Sequence, residues 1–156
     1  MRVYADTSFL VKLLSAEADS EVATAQYRKL GLPPLFFLPL HALEVRNAIF
    51  QRAFHQRSTL PSGERQTVTR ERDTAMARLE HYLSRRALVE VALDMELPLS
   101  RAVELSLLHT ERIGTRAIDL LHVACALTLE SELFLTTDAR QARLAKAEKL
   151  KVVSLV

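Results

Sequence analysis

Four of the 19 acidic residues stand where a carboxylate is costly to keep unless something uses it. Asp6 closes the short apolar run Arg2–Asp6, and Asp138 follows Phe134-Leu135-Thr136-Thr137. Glu44 has Leu40 and Ala48 one helical turn away, with Asn47 at i+3. Asp119 sits between Ile118 and Leu120, with Val123 at i+4, so both acids interrupt apolar faces. Burying an ionised carboxylate is expensive without a cation or several donors. No Lys lies beside Glu44 or Asp119, and Arg116, three residues before Asp119, is one possible salt-bridge partner. Acids brought together without matching bases point most economically to a hard, oxygen-loving divalent cation, Mg²⁺ or Mn²⁺. Thr7, Ser8, Thr136 and Thr137 flank the acids and offer hydroxyls and helix N-terminal amides, which can hold a metal-bound water or a phosphate oxygen.

Each of these residues also has a plainer reading. Asp6 and Asp138 could cap the helices that follow them, and Asp138-Ala-Arg-Gln141 resembles a capping box. Glu44 and Asp119 could make surface salt bridges, and the four hydroxyls could be caps. His122, one turn after Asp119, could move a proton or orient Asp119, although a lone helical His is more often structural. His41, His55, His81 and His109 have no ligand spacing.

The elements that must carry these side chains follow from periodicity. Short apolar runs at Arg2–Asp6, Leu35–Leu38, Ala87–Leu93, Leu133–Thr136 and Lys151–Leu155 predict five strands. Helical spacing predicts helices over 8–30 (broken near Ala16–Ser20), 40–57, 63–85, 98–111, 116–130 and 139–148. Such alternation predicts one layered α/β domain over 1–156, a parallel sheet covered on both faces. Ligands of such sheets collect beyond the carboxyl ends of the strands, where Asp6 and Asp138 would project from one rim. Leu60-Pro61-Ser62-Gly63 predicts a helical hairpin of 40–57 and 63–85. On its first helix Ala42, Val45, Ile49 and Ala53 follow one face, and Leu43, Phe50 and Phe54 an adjacent one. That band is wide enough for a core or for a subunit interface.

Composition narrows the function classes. A chain of 156 residues with 49% apolar side chains can bury a sufficient core unaided, and Cys125 alone permits neither an internal disulfide nor a multi-Cys zinc site. A cytoplasmic location is the expectation. The opening Met-Arg-Val-Tyr-Ala-Asp does not resemble a secretory signal, and the most apolar stretch, Leu32–Leu40, contains three prolines, so no membrane association is expected. Gly31, Gly63 and Gly114 lie too far apart for a Walker loop or a dinucleotide turn. The net charge of +2 hides an asymmetry: residues 46–86 hold nine Arg and four acids, a balance of +5. A basic middle can be a phosphate-backbone footprint or simply a solvated helix face.

Four segments together resemble the PIN domains, and among them the VapC-type toxins of prokaryotic toxin–antitoxin pairs. They are Tyr4-Ala5-Asp6-Thr7-Ser8, the helix carrying Glu44 with Asn47-Ala48, Thr115-Arg116-Ala117-Ile118-Asp119-Leu120-Leu121-His122-Val123-Ala124, and Phe134-Leu135-Thr136-Thr137-Asp138. The third is the most specific. The resemblance implies a five-stranded parallel sheet in the order 3-2-1-4-5 and a Mg²⁺- or Mn²⁺-dependent endoribonuclease that cleaves RNA with a metal-activated water. It also implies a homodimer and a small antitoxin partner. Carried onto this chain, Asp6, Glu44, Asp119 and Asp138 form the acidic quartet and the metal site, with Thr7, Ser8 and Thr136 in support. The long Arg-rich 63–85 helix departs from a minimal toxin of this type.

Three rivals define what must be tested. An aspartyl phosphatase or phospho-accepting domain would place paired acids at the first strand, whereas Asp6 is followed by Thr7 and Ser8. A non-cleaving PIN-like module that binds RNA or protein would be marked by loss of an acid, and all four are present. A housekeeping PIN nuclease would lack an adjacent antitoxin reading frame.

Overall fold

In a computed structural model, which describes residues 1–155, the elements alternate as expected. They run β1 (Val3–Ala5), α1 (Thr7–Leu14), α2 (Ser20–Lys29), β2 (Leu35–Phe37), α3 (Pro39–Thr59), α4 (Arg65–Ser84), β3 (Leu88–Glu90), α5 (Glu96–Ile113), α6 (Ala117–Thr128), β4 (Leu133–Thr136), α7 (Ala139–Ala147) and β5 (Lys151–Ser154). The strands form one parallel sheet in the order β3-β2-β1-β4-β5, with Ala5 opposite Leu135 and Thr136 opposite Ser154. Both the single α/β domain and the strand order agree with the sequence expectation.

Helices cover both faces. Phe9 and Leu10 of α1, Val45 and Ile49 of α3 and Leu79 of α4 pack with Val3, Ala5, Leu35 and Phe37 on one side. On the other, Leu105 of α5, Leu120 and Val123 of α6 and Leu144 of α7 pack with Tyr4 and Phe134. The alternation of Tyr4 against Val3 and Ala5 is the period-two pleat of a strand buried on both faces.

Two boundaries differ from the expected ones for physical reasons. Strand β3 is shorter than 87–93 because only Leu88–Glu90 pairs with Leu35–Phe37 at the sheet edge. Helix α5 starts at Glu96 because Pro98 lies in its first turn, where a missing N–H costs nothing. It ends at Gly114, whose φ of 73° supplies the left-handed cap. The helical hairpin forms around a 3₁₀ turn at Ser62–Glu64. Of the wide apolar band on α3, Val45, Ile49 and Ala53 are buried, whereas Leu43, Phe50 and Phe54 are exposed. Exposed Val103, Leu107 and Leu108 add apolar surface on α5. No helix among the described residues is long and apolar enough to cross a membrane.

Candidate active site

The carboxyl ends of β1 and β4 lie side by side, since the Asp6 N–H donates to the Leu135 carbonyl at 2.9 Å. Asp6 is the N-cap of α1 and is fully buried. Its Oδ1 accepts from the Phe9 N–H (2.9 Å) and the Ser8 hydroxyl (2.7 Å), and its Oδ2 from the Thr136 hydroxyl (2.6 Å). Burial raises the Asp6 carboxyl above its ordinary range, while His122 and these donors pull it back. The Thr136 oxygen also accepts the Asp138 N–H at 2.9 Å, and the Ser8 oxygen accepts the Thr137 N–H at 3.0 Å. The two strand-end acids are therefore held to one another through the Thr136 hydroxyl, and the Ser8 hydroxyl ties Asp6 to the Thr137 backbone beside it.

Asp138 caps α7, its Oδ1 accepting from the N–H groups of Arg140 (2.7 Å) and Gln141 (3.0 Å). Asp119, also fully buried, lies in the first turn of α6 and reaches back to the Arg116 N–H at 3.0 Å. The Arg116 guanidinium grips both Asp119 oxygens at 3.0 Å and touches Asp138 at 3.4 Å. Gln141 completes this side: its Nε2 donates to Asp119 Oδ1 at 3.1 Å. Glu44, on the second turn of α3, takes the Thr7 hydroxyl (2.9 Å) and His122 Nε2 (2.5 Å) on its Oε2.

Glu44, Asp119, Asp138, Arg116 and Gln141 line a cleft of about 760 Å³ with Thr7, Ser8 and His122. Lys12 and Glu17 form part of its wall, paired at 3.1 Å, and Glu17 also meets Arg52 at 2.7 Å. Asp6 does not line the cleft. It is joined to Asp138 through the Thr136 hydroxyl.

The donor set suits a hard divalent cation. Three carboxylates of the quartet, Glu44, Asp119 and Asp138, face the cleft, and Gln141 Oε1 is buried without any hydrogen-bond donor. The Gln141 amide cannot turn over without setting its oxygen against Asp119, so that orphan is fixed. As the side chains stand, no three His, Cys, Asp or Glu of the described residues are grouped closely enough to hold an ion. For these acids to hold an ion, Arg116, whose side chain is 59% exposed, would have to yield Asp119 and Asp138.

Of the residues singled out in the sequence, the four acids and the hydroxyls of Thr7, Ser8 and Thr136 are brought into one neighbourhood, and Asp6 and Asp138 also cap their helices. Sequence reasoning missed the role of Gln141, whose signal was its place three residues after Asp138, and the partner of His122, which is Glu44 and not Asp119. His41 is structural: Nδ1 accepts the Leu38 N–H at 3.0 Å, leaving Nε2–H to donate to the Ala5 carbonyl. Burial holds it neutral, well below the usual range. Cys125 is buried with its thiol pushed up to about 11, so it is no nucleophile.

Compared with known proteins, the sequence model of the PIN domain family matches residues 3–147. No curated protein matches the chain. Among solved structures, the crystal structure of FitAcB from Neisseria gonorrhoeae superposes with a TM-score of 0.60 at 17% identity, covering 96% of this chain and 95% of that one. At that identity the likeness concerns the fold.

Proposed function

The chain belongs to the PIN domain family, and from that premise we propose that it is a Mg²⁺- or Mn²⁺-dependent endoribonuclease, the toxin of a type II toxin–antitoxin pair acting in the cytoplasm. PIN domains are generally nucleases. The observation that carries the finer reading is one open cleft lined by Glu44, Asp119 and Asp138, with Asp6 tied to Asp138 behind it.

In this reading Glu44, Asp119 and Asp138 hold the ion and Asp6 is the deep carboxylate that completes the charge. When bound, such an ion polarises a phosphate oxygen and lowers the pKa of water. The chain's own residues do the rest. Thr7 fixes Glu44, Ser8 and Thr136 fix Asp6, and Gln141 fixes Asp119. Arg116, once it releases the acids, offers its fork of donors to a substrate phosphate at the cleft mouth.

Flanking phosphates have a path. Lys12 and Glu17 line both the cleft and a neighbouring groove carrying Arg28 and Arg78. Arg78 continues into a cavity with Arg52 and Arg72 between α3 and α4. These cations, which alternate with Glu21 and Glu71 and are partly paired with Glu17 and Asp73, support binding of a polyanion beside the acids. The exposed apolar faces of α3 and α5 support a homodimer, and a small antitoxin is the proposed partner.

The test compares wild type with Asp6→Ala and Asp119→Asn on total cellular RNA and single-stranded DNA, with Mg²⁺, Mn²⁺ or EDTA. Metal-dependent cutting of RNA at discrete positions by wild type alone is expected. A neighbouring reading frame of about 70–100 residues, the size of a small DNA-binding regulator, is expected beside the gene. The clamp of Arg116 on Asp119 and Asp138 favours one second reading, a module that binds RNA without cutting it. Metal-independent RNA binding, with wild type and both variants equally inert toward RNA, would establish that reading.

A further inference from the structure

The cleft is backed by a buried relay that the acidic quartet does not explain. His122 is 1% exposed on α6, and its two ring nitrogens face opposite ways. Nδ1 lies 2.8 Å from the Tyr4 hydroxyl in the middle of the sheet, and Nε2 lies 2.5 Å from Glu44 Oε2 at the cleft wall. The ring is wedged in an aromatic layer, with centroids 5.8 Å from Tyr4 and 5.2 Å from His41, so it has no room to turn.

The hydrogen bonds fix its tautomer. A carboxylate only accepts, so at Glu44 it is His122 Nε2 that supplies the proton. Of the two ring nitrogens one donates and the other accepts, so Nδ1 accepts from the Tyr4 hydroxyl that faces it. With Nδ1 accepting, the ring proton sits on Nε2 and points at Glu44. Oε2 of Glu44 thus receives two donors, Thr7 and His122, while Oε1 has no side-chain donor among the described residues.

We propose that His122, oriented by Tyr4, is a positioning residue for Glu44: it pins one carboxylate oxygen to the cleft wall and presents the other to the cation. The inference rests on the metal reading of the cleft given above and adds a residue to it. The physical logic is that of a carboxylate held by an outer partner, where loss of the partner costs about 10–100-fold in metal affinity. A Glu carries several rotatable bonds, and a single hydroxyl bond to Thr7 leaves the carboxylate free to rotate out of register.

The experiment has two parts on the full-length protein. In the metal-free wild type, long-range ¹H–¹⁵N NMR of the imidazoles should show His122 protonated on Nε2 with Nδ1 accepting, and Tyr4→Phe should shift the Nδ1 resonance. Mn²⁺ binding is then followed by electron paramagnetic resonance for wild type, His122→Gln and His122→Asn. The Gln amide nitrogen is as many bonds from Cβ as Nε2 and still reaches Glu44, whereas the Asn amide reaches only the Nδ1 position. Both variants bury an amide, so their cost to the fold is matched. His122→Gln should stay within about threefold of wild type and His122→Asn should weaken Mn²⁺ by about tenfold or more. An Nδ1-protonated ring, or equal affinities for Asn and wild type, overturns the positioning role while leaving the cleft's ion binding intact. A wild type that takes up no Mn²⁺ although its imidazole shows the expected pattern overturns the metal reading and the role built on it.

Discussion

Replacing Thr136 by Val removes one oxygen and keeps the shape. That oxygen donates to Asp6 Oδ2 at 2.6 Å and accepts the Asp138 N–H at 2.9 Å, in a side chain with no exposure. Losing a hydrogen bond to a buried carboxylate costs about 1.5–3 kcal/mol, and an N–H left short of a partner adds up to about 1 kcal/mol where water can partly replace it. Thr136→Val should therefore lose about 2–4 kcal/mol. For a domain of this size that is roughly 5–15 °C in Tm. Thr136→Ser keeps the oxygen and gives up a methyl group, a loss of about 1 kcal/mol. Urea unfolding at neutral pH in EDTA measures both without interference from metal. RNA cleavage, measured separately well below either midpoint, should fall for Val and survive for Ser, because the hydroxyl ties the two strand-end acids together. If Val lies within about 1 kcal/mol of wild type, or Ser is as damaging as Val, the hydroxyl does not hold Asp6 and the reasoning fails.

Other outcomes follow from the same geometry. Asp119→Asn should abolish metal-dependent cleavage while the fold persists, since its amide can still accept from the Arg116 N–H; retained cutting would remove Asp119 from the site. Because burial raises the Asp6 carboxyl, the folded protein holds that proton more tightly than the unfolded chain, and ionised Asp6 costs stability at neutral pH. Asp6→Asn should therefore gain over wild type at pH 7 in EDTA, with the gain shrinking as the pH falls toward about 4, the ordinary carboxylate range. A gain that grows on acidification would show the donors outweighing burial. In an Asp119→Asn background, changing Arg28, Arg72 and Arg78 to Gln should weaken single-stranded RNA binding, with the salt slope flattening by about 0.7 for each phosphate no longer neutralised. An unchanged slope would take RNA off this surface. Phe54→Glu and Leu107→Glu, at positions 69% and 83% exposed, should shift the light-scattering mass from two chains to the 17.6 kDa of one. Wild type already at one chain refutes the dimer.

The element order was legible because each strand is a short apolar run and each helix carries a long amphipathic stretch. Asp6 and Asp138 were legible as site residues because a strand end in a parallel sheet has a known direction. Glu44 and Asp119 stood out as charges on apolar faces. The partners were not legible. Spacing tied His122 to Asp119, one turn away, but α6 sets its ring between Tyr4 of the sheet and Glu44, 78 residues distant. Gln141 read as the closing member of a capping box, but the Asp138 N–H goes to Thr136 and the Gln141 side chain turns to Asp119 instead.

The sequence by itself determined which residue types are present, which elements carry them and which rim of the sheet they share, because local periodicity and strand polarity are properties of neighbours in the chain. Only the tertiary structure decided that Asp6 is sealed behind Thr136 and Ser8, that Arg116 sits across Asp119 and Asp138, and that Tyr4 and His122 stand behind Glu44. The bonds of Thr136 to Asp6, Arg116 to Asp138, Tyr4 to His122 and His122 to Glu44 join residues distant in the chain, and are set by the angle at which each helix packs on the sheet and by the few rotamers that packing leaves.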